Sequence, residues 1–241
     1  MISYKRLTYL LVMLTLLLGT VLPLSTVQAA PTQPPTTEAQ GDKPAEPQTV
    51  VESTGIMQVR DTYAFSSAIG TYTAITGGTV HGSGTGIDDN NYNAINIGFT
   101  FRYNGTDYTQ LSINANGFVR LGGTAFSGSC GYAPISSTTA GCENVLSAHA
   151  EDQNSSAISE LRSELLGSSP NQVFVIQWKD FKHYGSTTTD IYNYQIRIYE
   201  TSNIIEFVYG THSKDGTNRT NQVGLKGPNA TDYENRTTTT D

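Results

Sequence analysis

The chain has 241 residues, 14 Lys+Arg against 21 Asp+Glu, a formal net charge of −7 and only 15% charged side chains. An acidic chain with no Lys/Arg cluster lacks the basic face that phosphate neutralisation needs, which argues against nucleic-acid binding. Two cysteines exclude a disulfide-dense miniprotein and a four-cysteine zinc site, and 23 Gly with 14 Tyr at such low charge is not the composition of a helical bundle.

Residues 1–30 read as a secretory signal peptide. Lys5 and Arg6 supply the positive start, Leu10 to Leu24 the apolar run, and Val27-Gln28-Ala29-Ala30 the small residues of a cleavage site. Gly19, Thr20 and Pro23 interrupt the run too early for a membrane-spanning helix, and no later stretch is long and apolar enough to span a bilayer. Residues 31–54 hold five prolines and no large apolar residue before Val50, so they read as a disordered Pro/Thr-rich linker. The body, 55–241, is long enough for one all-β domain with a real core.

Turn residues punctuate the body at short intervals: Gly77-Gly78, Gly82-Ser83-Gly84, Asp88-Asp89-Asn90-Asn91, Asn104-Gly105 and Asn116-Gly117. Short β-branched and aromatic runs lie between them, beginning with Thr62-Tyr63-Ala64-Phe65. Ile95, Ile97, Phe99 and Phe101 alternate up to Tyr103, and Asn104-Gly105 then Tyr108–Ile113 predict a tight hairpin, because both turn residues tolerate positive φ. Phe118–Leu121 follows. Ile158–Leu166 has apolar residues near helical spacing, but the Gly167–Asn171 turn and the alternating Val173–Trp178 run favour a strand in a hairpin. Ile191–Glu200 places Tyr192, Tyr194, Ile196 and Ile198 on one side. Thr201-Ser202-Asn203 turns it back into Ile204–Tyr209, and Gln222–Lys226 closes the series. About ten strands joined by short loops predict an antiparallel β-sandwich.

Cys130 and Cys142 flank a loop rich in turn formers. In an exported chain they read as one disulfide, with free thiols in a reducing niche as the alternative. A stapled loop suits recognition, since binding residues concentrate on loops held by rigid scaffolds, and suits plain stabilisation equally. Asp88, Asp89 and Asn91 supply oxygens of the kind calcium takes, without the spacing of an EF-hand loop. Asx-rich turns also form with no metal, and Glu151-Asp152 adds ligands only if the fold brings them near. Tyr184, Tyr192 and Tyr194 are candidates for an aromatic ligand platform, against the alternative of ordinary strand composition. His149 is read as a hydrogen-bonded wall residue, because His81, His183 and His212 show no paired zinc spacing. There is no Gly-x-Ser-x-Gly elbow and no His-Glu-x-x-His, so no catalytic residue is assigned. Five Asn-x-Ser/Thr sequons, at Asn104, Asn154, Asn218, Asn229 and Asn235, are glycosylation sites in a eukaryote and only composition in a bacterium.

Several strings, taken in order, resemble the nidogen-like extracellular β domain: INIGFTFRYNGTDYTQLSINANGFVRLGG with its Asn-Gly-Phe turn, VFVIQWKDFKHYG, NYQIRIYETSNIIEFVYG and QVGLKG. The form found in bacterial secreted or cell-surface multidomain proteins is similar over roughly Tyr63 to Asp241. The resemblance implies a non-catalytic, secreted or surface-displayed adhesion or recognition module whose partner is an extracellular glycan or protein. The alternatives are a carbohydrate-binding accessory module of a larger hydrolase and a structural spacer. The stretch Ser147–Asp152 departs from the family's pattern, which has an aromatic pair before its acidic residues.

Overall fold

The computed structural model describes residues 63–126, 130–186, 190–216 and 219–236. The signal peptide expected over 1–30 and the linker expected over 31–54 lie outside the described residues, as does Thr62. Among the described residues there is no helix, and so none long and apolar enough to cross a membrane.

Twelve strands form among the described residues: β1 Thr79–Ser83, β2 Asn91–Tyr103, β3 Thr106–Asn114, β4 Phe118–Leu121, β5 Val145–Ala150, β6 Gln153–Asn154, β7 Glu160–Leu166, β8 Val173–His183, β9 Ile191–Tyr199, β10 Ile205–Ser213, β11 Gln222–Lys226 and β12 Tyr233–Asn235. They make two antiparallel sheets. One runs β1-β7-β8-β9-β10 with β6 beside β8, and the other runs β12-β11-β5-β4-β3-β2. The all-β sandwich expected from the sequence is therefore present, with β6 and β12 among the strands that the sequence pattern did not announce.

The Asn104-Gly105 hairpin is as predicted. Tyr103 pairs with Thr106, and the two turn residues sit at φ 47° and 80°, the left-handed pair whose twist matches the flanking strands. Of the stretch Ile158–Leu166, Glu160–Leu166 resolves as a strand, with Leu161 opposite Trp178 and Leu165 opposite Phe174, and Ile158 sits in the preceding turn. The Tyr63-Ala64-Phe65 run is a correction. It belongs to no ladder, and the chain from Tyr63 to Thr76 is held by side chains instead. Tyr63 packs its ring 5.2 Å from that of Tyr103, and Tyr72 donates to Gln177 Oε1.

The main core lies between the sheets. Ile97, Phe99, Phe101 and Tyr103 of β2 and Leu111 and Ile113 of β3 meet Phe174, Ile176 and Trp178 of β8 and the apolar side of β9. Period-two alternation holds cleanly on β2, whose outward face is wet. It fails on β5, where all six residues are buried, and through the middle of β9. Both failures have one cause: the outer faces are covered too. On the first sheet the Tyr72–Gly77 segment lies over Gln177 and Gln195. Gln177 exchanges bonds with the Ile75 backbone, and Gln195 Nε2 donates to the Thr73 carbonyl. On the second sheet the loop between β4 and β5 folds down to bury Phe118, Phe126, Cys130, Ile135, Cys142 and Val145 as a satellite core.

Candidate functional site

The connections β1–β2, β3–β4, β5–β6 and β8–β9 meet at one end of the sandwich, and Asn116 in the β3–β4 turn ties the first three together. Its side chain is buried (2% exposed). Its Nδ2 donates to Asp89 Oδ1 at 2.9 Å, and its Oδ1 accepts the Gln153 N–H at 2.8 Å. One amide thus joins a loop 27 residues upstream to a corner 37 residues downstream. Ser155 Oγ adds a second link by accepting the Ile87 N–H.

Gly117 makes this possible. Its φ is +90°, and a Cβ there would stand 2.1 Å from the His149 carbonyl oxygen and 2.7 Å from Gln153 Nε2. The backbone approaches β5 so closely that only glycine fits. Phe118, the third residue of the Asn-Gly-Phe turn, enters the satellite core edge-on to Phe126, with centroids 5.0 Å apart.

The result is a convergence of carboxylates. Asp88, Asp89 and Asp152 each offer an oxygen within 4.8 Å of the others. Burial and the neighbouring Asp89 and Asp152 charges push the Asp88 carboxyl above its ordinary range, and burial followed by Asp89 does the same to Asp152. These oxygens are of the type a hard divalent cation takes. Asp88 and Asp89 were expected here. Asp152 is brought in by the fold, while Asn91 sits at the start of β2 with its Oδ1 accepting from Asn114 Nδ2 at 2.7 Å.

The stapled loop reaches the same corner. Cys130 and Cys142 are bonded, as expected. Tyr132, just inside the staple and 44% exposed, lies near Asp152 and Asp89, whose charges raise its phenol pKa. Tyr184 arrives from the β8–β9 turn. Its N–H donates to the Asp152 carbonyl at 2.8 Å, and its side chain is 52% exposed. Sequence reasoning did not single out Tyr132. Its proximity to Cys130 was the one available signal.

The expected tyrosine platform is corrected in part. Tyr192 and Tyr194 are fully buried, because β9 is an inner strand and their side chains point into the sandwich. Tyr194 stacks on Trp178 with centroids 5.2 Å apart and donates to Gln153 Oε1, and burial raises its phenol pKa. Only Tyr184 of the three faces solvent.

His149 is a wall residue, buried behind the corner. Asn221 Nδ2 lies 3.0 Å from Nδ1, which makes Nδ1 the acceptor and places the proton on Nε2. The ring packs against Tyr192, Tyr194 and His212. Glu151 Oε2 is 3.7 Å from Nε2, beyond hydrogen-bond reach, and burial, with the nearby His212 and Lys214 charges, holds the His149 pKa down to about 3. Glu151 faces inward to His183 Nδ1 at 3.3 Å, so it does not join the three aspartates.

A separate groove of about 470 Å³ on the first sheet involves none of these residues. Its charges satisfy one another: Arg162 binds Glu160 through Nε and Nη2, and donates to the Thr76 and Gly77 carbonyls at 2.7 Å.

No curated protein and no solved structure matches the chain. A family model described as NIDO related matches residues 62–241, which takes in every strand, the Asn-Gly-Phe turn and the stapled loop. The chain belongs to this nidogen-related family.

Proposed function

We propose that the domain is a non-catalytic extracellular recognition module, secreted or displayed at a cell surface, that binds a surface glycan or protein through the corner formed by Asp88, Asp89, Asp152, Tyr132 and Tyr184. The observation that carries this reading is the convergence of separate loops, one of them stapled, on a single exposed surface of carboxylates and tyrosines. Tyrosine brings a rigid, amphipathic ring to recognition surfaces, and carboxylates accept hydrogen bonds from sugar hydroxyls or protein amides. The signal-peptide pattern and the disulfide support an oxidising, extracellular setting. Calcium at the three aspartates belongs to the same proposal. It would neutralise the crowded carboxylates and fix the β1–β2 loop.

The test is binding of the 55–241 domain to an array of glycans and extracellular proteins, with and without EDTA. Specific, saturable binding supports recognition, and its loss in EDTA supports a calcium-dependent corner. Binding that EDTA leaves intact removes calcium from the reading. A blank array with concentration-dependent self-association would replace recognition with a structural role.

A further inference from the structure

The loop that carries Tyr132 is gripped in its middle as well as at its ends. Gln222 and Lys226, four residues apart on one face of β11, lie directly beneath it. Gln222 Oε1 accepts the N–H groups of Ile135 (2.8 Å) and Ser136 (3.3 Å), and Gln222 Nε2 donates to Ser136 Oγ at 2.7 Å. Lys226, 1% exposed, donates from Nζ to the carbonyls of Pro134 and Ser137. Between these anchors Ile135 is fully buried in the satellite core. A buried ammonium is costly unless its hydrogen bonds are satisfied, and here loop carbonyls satisfy it. The lysine and the loop conformation therefore require each other.

The disulfide, by contrast, joins only the two ends of the loop. With the staple alone, the middle of a twelve-residue separation would keep most of its conformations. With the β11 seat alone, Tyr132 stands three positions from Ile135, which is buried and donates its N–H to Gln222. We infer that Lys226 and Gln222 are the positioning residues that hold Tyr132 at the acidic corner, and that the disulfide stabilises the domain without setting the shape of the loop. The consequence for binding rests on the recognition reading above, while the positional claim does not.

The test compares three states of the 55–241 domain: oxidised wild type, wild type reduced with a phosphine, and the oxidised variants Lys226→Met and Gln222→Ala. Two readouts are used. One is amide hydrogen exchange at Ile135 and Ser136. The other is the set of NMR chemical shifts of the Tyr132 amide and ring, which report the conformation of the loop and are read where every state is folded. Reduction is expected to keep Ile135 protection within about tenfold and the Tyr132 shifts unchanged. Loss of the seat is expected to speed exchange by about a hundredfold or more and move the Tyr132 shifts toward those of an unstructured chain. Should Lys226→Met fail to fold, Gln222→Ala and the mutation-free reduction arm still decide the matter. Reduction that abolishes protection, or a Gln222→Ala variant with an unmoved Tyr132, overturns the inference. Neither readout needs a ligand, so a blank binding array and a failure here are separate results.

Discussion

Acidification should destabilise this domain chiefly through His149. In the folded state its ring is buried among Tyr192, Tyr194 and His212, with Lys214 adding like charge and Glu151 too distant to bond, and its pKa is held down to about 3. In the unfolded chain it titrates near 6.5. Between these values the unfolded state binds a proton that the folded state does not, so stability is intact above about pH 6.5 and falls as the pH drops. The slope is about 1.4 kcal/mol per pH unit, so the loss is about 3 kcal/mol by pH 4.5 and roughly 5 over the full range. His81 and His183, also depressed by burial, act in the same direction, while Asp88 and Asp152, raised in the fold, act in the opposite one. The contributions of His81, Asp88 and Asp152 are common to wild type and a His149→Gln variant and cancel in the difference, while His183, which shares Glu151 with His149, is followed by its own NMR titration in both proteins. Urea denaturation of both proteins from pH 8 to pH 4 is the assay. The variant is expected to start less stable at pH 8, having lost the ring contacts, and to converge on or overtake wild type near pH 4.5. Two curves that stay parallel across the range would refute the claim that a buried neutral His149 governs acid stability.

Three further outcomes follow from the same geometry. Gly117→Ala should cost more than about 3 kcal/mol in thermal or chemical unfolding, because positive φ and a Cβ colliding with the His149 carbonyl add together. Asn116→Ala should return the carboxyl titrations of Asp88 and Asp152 toward the ordinary range in NMR pH series, since the amide that draws the Asp89 loop to the Gln153 corner is gone; unchanged titrations would show that the aspartates meet without it. Tyr194→Phe should destabilise by about 1–2 kcal/mol by leaving the buried Gln153 side chain without its hydroxyl donor, with unaltered binding at the corner, because Tyr194 does not reach the surface.

Local signals in the sequence carried far where the physics is local. Alternation on Ile95–Tyr103 and a two-residue Asn-Gly turn define β2, β3 and their pairing at the hairpin end, while the register shifts between Asn96 and Phe101 and between Tyr92 and Ile95 lie beyond what they define. The Gly167–Asn171 turn was enough to decide strand over helix for 160–166, against a misleading apolar spacing. Legibility ended where burial depends on what lies above a sheet. Tyr192 and Tyr194 were assigned to one side of β9 correctly, but β9 is an inner strand, and that side is core. The aromatic Tyr63-Ala64-Phe65 run has strand composition, yet its side chains lock it across other elements with no ladder to join. The corner itself was half visible. Asp88, Asp89, the staple and Tyr184 each stood out, but the meeting of the Asp89 loop with the Gln153 corner runs through Asn116, whose partners lie 27 and 37 residues away in sequence. The Asn-Gly-Phe turn carried the resemblance to the family, and only the fold shows that its asparagine ties the corner together while its glycine permits the close approach to β5.

The central claim is that the corner is the recognition surface, and paired variants test it most directly. Tyr132→Ser with Tyr184→Ser removes both exposed rings of the corner, while Ile158→Ser and Ile204→Ser remove exposed apolar side chains outside it, at 68% and 56% exposure. Each pair would be titrated against the best binder from the array, with folding checked by near-UV circular dichroism. The account predicts that the tyrosine pair weakens binding at least about tenfold, while the isoleucine pair leaves it within twofold or so. Full affinity in the tyrosine pair would contradict the assignment of the corner.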